Sequence, residues 1–133
     1  MPSGFDEDQS KFTGALALGE FFASYGYACA FTGESLREAI DTDPLSALLR
    51  LSPFGELRAD LVIPACSAAQ AAFHDGALLI GPQFNLILNP VLLREVTLIA
   101  RLRTDFCLRL PDNPDFQPNQ LVLRDHRLAV LGE

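Results

Sequence analysis

An α+β domain is the fold class this sequence predicts, on three observations. Apolar residues recur at helical spacing near both ends of the chain, and short extended runs broken by Gly and Pro occupy the middle. An alanine-rich helical stretch lies between those runs. The length of 133 residues suits one core, since folding at that size buries roughly two thirds of the unfolded surface. A single domain over 1–133 is expected, with residues 1–7 a flexible acidic N-terminus.

The elements follow in order. From Asp8 to Tyr25, Phe12, Ala15, Leu16, Gly19, Phe22 and Ala23 fall three and four apart, predicting an amphipathic helix that ends at Gly26. YACAFTG (27–33) reads as a short strand running into a turn at Thr32-Gly33. Ser35 caps a turn through ESLREAI, and Asp43-Pro44 opens another through Leu49. Pro53, Gly55 and Pro64 divide Leu48–Ile63 into extended pieces joined by a turn. Helix returns over Cys66–Asp75, with Ser67 as cap and Gly76 as stop. ALLIG and FNLILNP form a hairpin across Gly81-Pro82, and apolar residues at both parities of FNLILN imply that both strand faces are covered. VLLREVTLIARLRT fits helix or strand; the reading favoured is a turn or short helix near Leu92 and a strand from about Thr97. Leu110–Asn119 is a proline-rich surface loop, and Leu121, Leu128 and Leu131 suit a closing helix from Gln120.

Composition narrows the function classes. Hydrophobic residues make up 49% and charged residues 20%, and no apolar run reaches a membrane span, which takes roughly 18 residues or more. Met1–Ser10 is acidic and lacks the pattern of a secretory signal, so a cytoplasmic protein is expected. The net charge is −7, with 17 acidic residues against 10 basic ones. That balance opposes a phosphate backbone unless arginines cluster locally. Cys29, Cys66 and Cys107 stand in no CxxC spacing, which predicts neither a disulfide framework nor a zinc site but small buried apolar groups. No GxSxG, P-loop, GxGxxG or HExxH occurs.

The ordered series is more specific than its parts. Tyr25-Gly26-Tyr27-Ala28-Cys29-Ala30-Phe31-Thr32-Gly33 is similar to the Tyr-Gly-x-x-Cys-x-x-Thr-Gly segment of the bacterial HNH endonuclease domain family. LLRLSP (48–53) stands where that family has Ala-His-Ile-x-Pro, and Leu61–Gly76 where it has a segment ending in Phe-Asp-x-Gly, with Phe73 and Gly76 matching. Pro64 and Cys66, the hairpin, Leu110-Pro111, Pro118 and His126-Arg127 continue the resemblance over nearly the whole chain. It implies a ββα core flanked by an N-terminal helix, a β-hairpin and a C-terminal helix.

HNH chemistry uses a histidine base, a polar residue that orients it and a further ligand for a divalent metal. At the matching positions this chain has Arg50, Leu61 and Gln70. Arginine neither accepts a proton nor binds a metal at neutral pH, leucine orients nothing, and a neutral amide is a weak ligand. The resemblance therefore implies an inactive scaffold, without catalytic residues, metal or cofactor, acting as an interaction or structural protein. A protein partner, including a second copy, is expected rather than nucleic acid, membrane or a small-molecule substrate.

Two rivals stay open. A rebuilt metal site would use Asp60, His74 and Asp75, with His74 four residues after Gln70 on one helix face; the plain alternative is a polar helix C-terminus. A nucleic-acid-binding module would use Arg50, Arg58, Arg94, Arg101 and Arg103 as a continuous basic surface. His126 is adjacent to Asp125, but sequence neighbours diverge around a helix and make no dyad by spacing; the resemblance makes His126 structural.

Overall fold

The computed structural model describes residues 18–51, 57–89 and 91–132. The first part of the Asp8–Tyr25 helix, the acidic N-terminus, and Pro53, Gly55 and Pro90 lie outside them. The α+β class holds. Helix α1 (Leu18–Ser24) leads to α2 (Arg37–Thr42), then strands β1 (Leu48–Arg50) and β2 (Val62–Pro64), then α3 (Ser67–His74). Strands β3 (Leu78–Ile80) and β4 (Leu86–Leu88) follow, then α4 (Thr97–Arg101) and α5 (Gln120–Leu131). Among the described residues no helix is long and apolar enough to cross a membrane.

Each strand pair is antiparallel. β1 and β2 register Leu48 with Pro64, Leu49 with Ile63 and Arg50 with Val62. β3 and β4 register Leu78 with Leu88, Leu79 with Ile87 and Ile80 with Leu86. β3 is buried at all three positions, whereas β4, the FNLILN strand expected to be covered on both faces, is buried only at Leu86 and half-buried at Ile87 and Leu88. A third segment extends this hairpin: Leu86 N–H donates to Phe106 O at 2.7 Å and Leu108 N–H to Phe84 O at 2.7 Å. The same segment reaches the CAFTG turn, where Arg109 N–H donates to Ala30 O at 2.9 Å.

The buried side chains form one hydrophobic cluster running from Phe21 to Leu123. Phe21, Phe22 and Tyr25 contribute its aromatic part, with Phe21 and Tyr25 ring centroids 5.2 Å apart. Gly33 and Gly76 adopt φ of +81° and +80°, a region where a side chain is strained. That is the geometry expected where the CAFTG turn closes and where α3 stops.

Several sequence expectations are corrected. YACAFTG is a turn held by one bridge, Ala28 with Ser35, and is not a strand. Thr97–Arg101 is helical, not extended: Leu98 turns inward to full burial, and the edge position a strand would have taken belongs to residues 106–108. The cap of α3 is Cys66; Ser67 is already the first helical residue. The proline-rich loop carries a 3-10 turn, Pro114–Phe116, whose Phe116 ring is buried against Phe21 at 5.9 Å. Backbone ties anchor it, since Asp112 N–H donates to Ser24 O and Asn113 N–H to Ser24 Oγ, both at 2.8 Å. In α5 the three leucines chosen from the sequence are exposed. The inner face is instead Leu123, His126, Arg127 and Val130, which are three, four and seven residues on. Asn119 caps this helix, its side chain accepting from Leu121 N–H at 2.9 Å.

Candidate functional site

Helix α3 lies between the two strand pairs, and its exposed side opens on a cleft of about 460 Å³. Leu48, Arg50 and Leu51 line it from β1 and the residue after it, Gln70, Phe73 and His74 from α3, and His126 from α5. The antiparallel register places Arg50 at the outer end of β1 opposite Val62, where its side chain is exposed. No carboxylate pairs with Arg50 among the described residues. It brings to the rim a positive charge that no described carboxylate pairs with.

Gln70 is not free to serve a ligand in the same way. Its Nε2 donates to Ser46 O at 2.8 Å and to Ala65 O at 2.9 Å. Both amide hydrogens are thus spent on carbonyls at either side of the β1–β2 pair, and the side chain acts as a strut between helix and sheet.

His126 stacks on Phe73 with ring centroids 3.7 Å apart and planes 7° from parallel. Its Nε2 lies 2.9 Å from Phe73 O. A carbonyl only accepts, so Nε2 carries the proton and Nδ1 is left as an acceptor, buried and without a partner among the described residues. Burial lowers the His126 pKa below the ordinary imidazole value; the Phe73 carbonyl opposes this, while nearby His74 and Arg127 reinforce it. Arg127, the next residue, donates to Ile80 O and fastens α5 across β3. The cleft therefore combines one fixed cation, one neutral imidazole with a committed Nε2, an exposed histidine and an apolar floor. Such a set suits binding of a polar or anionic group more than metal-assisted hydrolysis.

The residues proposed for a rebuilt metal site are not brought together. Asp60 lies in the turn before β2, accepting from Arg58 Nη2 at 3.0 Å and from Asn119 Nδ2 at 3.4 Å. Asp75 follows α3 and pairs with Arg94 at 3.4 Å. His74 lines the cleft without them, and among the described residues no group of three His, Cys, Asp or Glu side chains can hold a metal ion. Leu61 is outside the cleft; its carbonyl accepts from Leu51 N–H at 3.0 Å.

The arginine surface is also interrupted. Arg58 pairs with Asp60, Arg94 with Asp75, Arg101 with Glu34 and Glu95, and Arg103 with Asp105. Of the five arginines named from the sequence, only Arg50 has no carboxylate partner among the described residues.

Two features escaped sequence reading. His126 belongs to the cleft, and the signal was available in the Leu123, His126, Arg127, Val130 face of α5. Cys29 and Cys66 meet although 37 residues apart, and Cys66 and Cys107 are only half-buried, unlike Cys29. No local spacing could announce that meeting. No family model, curated protein or solved structure matches the chain.

Proposed function

We propose that the chain is a catalytically inactive scaffold resembling the HNH endonuclease domain, which works by binding another protein. One observation carries this reading. Where the resemblance calls for a metal ligand stands Gln70, whose neutral amide oxygen is a weak ligand compared with imidazole or carboxylate and whose Nε2 is tied to Ser46 O and Ala65 O. Where it calls for a base stands Arg50, which cannot accept a proton. The order of an antiparallel pair, β1–β2, followed by α3 agrees with the proposed ancestry. A protein partner is favoured over nucleic acid because four of the five candidate arginines are neutralised by carboxylates. The net charge of −7 adds to the repulsion of phosphate. Val91, Leu92, Val96 and Ile99 also expose apolar surface, Val91 to 89%, of the kind that protein partners cover.

A nicking assay on supercoiled plasmid with magnesium, manganese, nickel or zinc tests the inactive reading, and the plasmid is expected to stay intact. The second reading, a metal-dependent endonuclease, draws on the arrival of both His74 and His126 in one cleft. Metal-dependent nicking that His74→Ala abolishes would replace the first reading with the second. Gel retardation of duplex DNA at physiological salt separates the remaining rival: retention lost in Arg50→Ala would establish a nucleic-acid binder.

A further inference from the structure

The opposite end of α3 holds a cluster that the cleft does not use. Cys66 caps the helix and is half-buried, while Cys29, in the CAFTG turn, is fully buried. Two hydrogen bonds bind their segments together: Ala30 N–H donates to Pro64 O at 3.0 Å, and Cys66 N–H donates to Cys29 Sγ at 3.4 Å. The second of these brings the Cys29 sulfur to the backbone of Cys66 itself. Arg101 Nη2 approaches Cys66 Sγ at 3.7 Å. That guanidinium is held by Glu34, through Nη2 at 2.7 Å and Nε at 3.0 Å, and by Glu95 through Nη1 at 3.0 Å. Thr32 completes the surroundings beside Cys29.

We propose that Cys29 and Cys66 are a redox-active dithiol, a modification site that closes to an intrachain disulfide by exchange with a low-molecular-weight disulfide. The two cysteines come from distant parts of the chain, and the Cys29 sulfur already lies 3.4 Å from the Cys66 backbone nitrogen. Only one of them is within reach of a reagent, and a cation stands beside that one. Two buried apolar cysteines packing for volume alone require neither the Cys66 N–H bond to the Cys29 sulfur nor Arg101 beside Cys66.

The resting charge lies on the buried sulfur, so Cys66 attacks only after a proton has moved between the two cysteines. The thiol hydrogen bond holds the Cys29 pKa down to about 6 against the cost of burial, and raises that of Cys66. At neutral pH the pair thus carries one thiolate and one proton, shared between two sulfurs. Moving that proton to Cys29 makes Cys66 the thiolate, facing Arg101 and the start of α3, both of which stabilise negative sulfur.

In the first step the Cys66 thiolate attacks one sulfur of the reagent disulfide. Its S–S bond breaks, a Cys66 mixed disulfide forms and one small thiolate leaves. In the second step Cys29, having lost its proton to that leaving thiolate, attacks the Cys66 sulfur. The mixed disulfide breaks, the second small thiolate leaves and takes a proton from solvent according to its own pKa, and the Cys29–Cys66 bond forms. One protein thiol and one thiolate are oxidised together to a disulfide, and the small disulfide is reduced to one thiol and one thiolate. Cys107, pinned by its N–H to Asp105 Oδ1 at 3.0 Å in another segment, takes no part. The inference stands apart from the cleft and does not rest on its reading.

The test incubates the full chain with oxidised glutathione at pH 7.5, quenches with acid, alkylates the remaining thiols and maps peptides by mass spectrometry. The expected product links Cys29 to Cys66 and leaves Cys107 alkylated. Closing a loop of this span restricts the unfolded chain, so Tm is expected to rise by roughly 10 °C and to return on reduction. Cys107→Ser should close as the parent does; Cys66→Ser, altered at a half-exposed position, should keep its circular dichroism and form no intrachain bond. A stable glutathione adduct on Cys66 with Cys29 still alkylatable would overturn the proposal. A bond that includes Cys107, or oxidation that lowers Tm, would do the same.

Discussion

The N-terminal end of α3 is chemically closed, whereas its C-terminal end is open. At Cys66 the neighbouring groups satisfy one another: the Cys29 sulfur accepts from Cys66 N–H, the Cys66 sulfur from Arg101, and Arg101 is bracketed by Glu34 and Glu95. At His74 the groups face outward or lack partners, with Arg50 unpaired and His126 Nδ1 orphaned. One short helix therefore separates chemistry among the protein's own atoms from a surface suited to receive something from outside. Gln70, midway, belongs to neither end and holds the helix on the sheet. Gln70 thus spends its amide hydrogens on the fold itself, as a structural bond between helix and sheet.

The largest effect should come from breaking the open end at its floor. Phe73 is buried and carries the His126 ring. Phe73→Ala should cost about 3–5 kcal/mol of stability, as large-to-small core changes do, measured by urea denaturation. A loss near zero would mean that the cleft floor is not part of the core. Next in size is Gly76→Val. At that glycine a Cβ would lie 3.0 Å from Val130 Cγ1 in addition to the positive φ, whereas Gly33 has nothing within 4 Å. Gly33→Val should cost about 1 kcal/mol from strain alone, and Gly76→Val more. Equal shifts in Tm would remove α5 from the support of this end.

Gln70→Ala tests the strut between the two ends. Two carbonyls lose their partner, one of them part-buried, so a loss of about 1–2 kcal/mol is expected. The change should not alter the rate of Cys29–Cys66 closure, because the thiol cluster has its own backbone ties. Coupling between the two measurements would show that the ends are not independent.

Periodicity and turn chemistry made much of the fold legible. The glycines that end α3 and the CAFTG turn, the two strand pairs and the closing helix all follow from local patterns. The α4 segment misled because Val96, Thr97 and Ile99 favour a strand locally, while tertiary packing of Leu98 decided for helix. Choosing Leu121, Leu128 and Leu131 for the inner face of α5 followed side-chain hydrophobicity. The actual face uses the polar ends of His126 and Arg127 to satisfy the carbonyls of Phe73 and Ile80. Of the site, Arg50 and Gln70 came from the resemblance and do meet in one cleft with His74. The arginine pairings and the thiol contact are products of long-range packing, which no spacing rule encodes.

The smallest effect is a pH dependence confined to the open end. Burial holds the His126 pKa below its ordinary value of 6.5, so the unfolded chain takes up this proton more readily than the folded one. The stability associated with the neutral ring is therefore fully present above about pH 6.5 and is lost as pH falls through the lower folded-state pKa. The structural reason is specific: protonation adds an N–H at Nδ1, a buried atom without an acceptor among the described residues. Tm measured between pH 7.5 and 5 should fall in the parent, and the fall should be shallower in His126→Gln, whose amide can still donate to Phe73 O but does not titrate. If the two curves run parallel, His126 is not the group responsible, and the orphaned nitrogen already has a solvent path through the cleft.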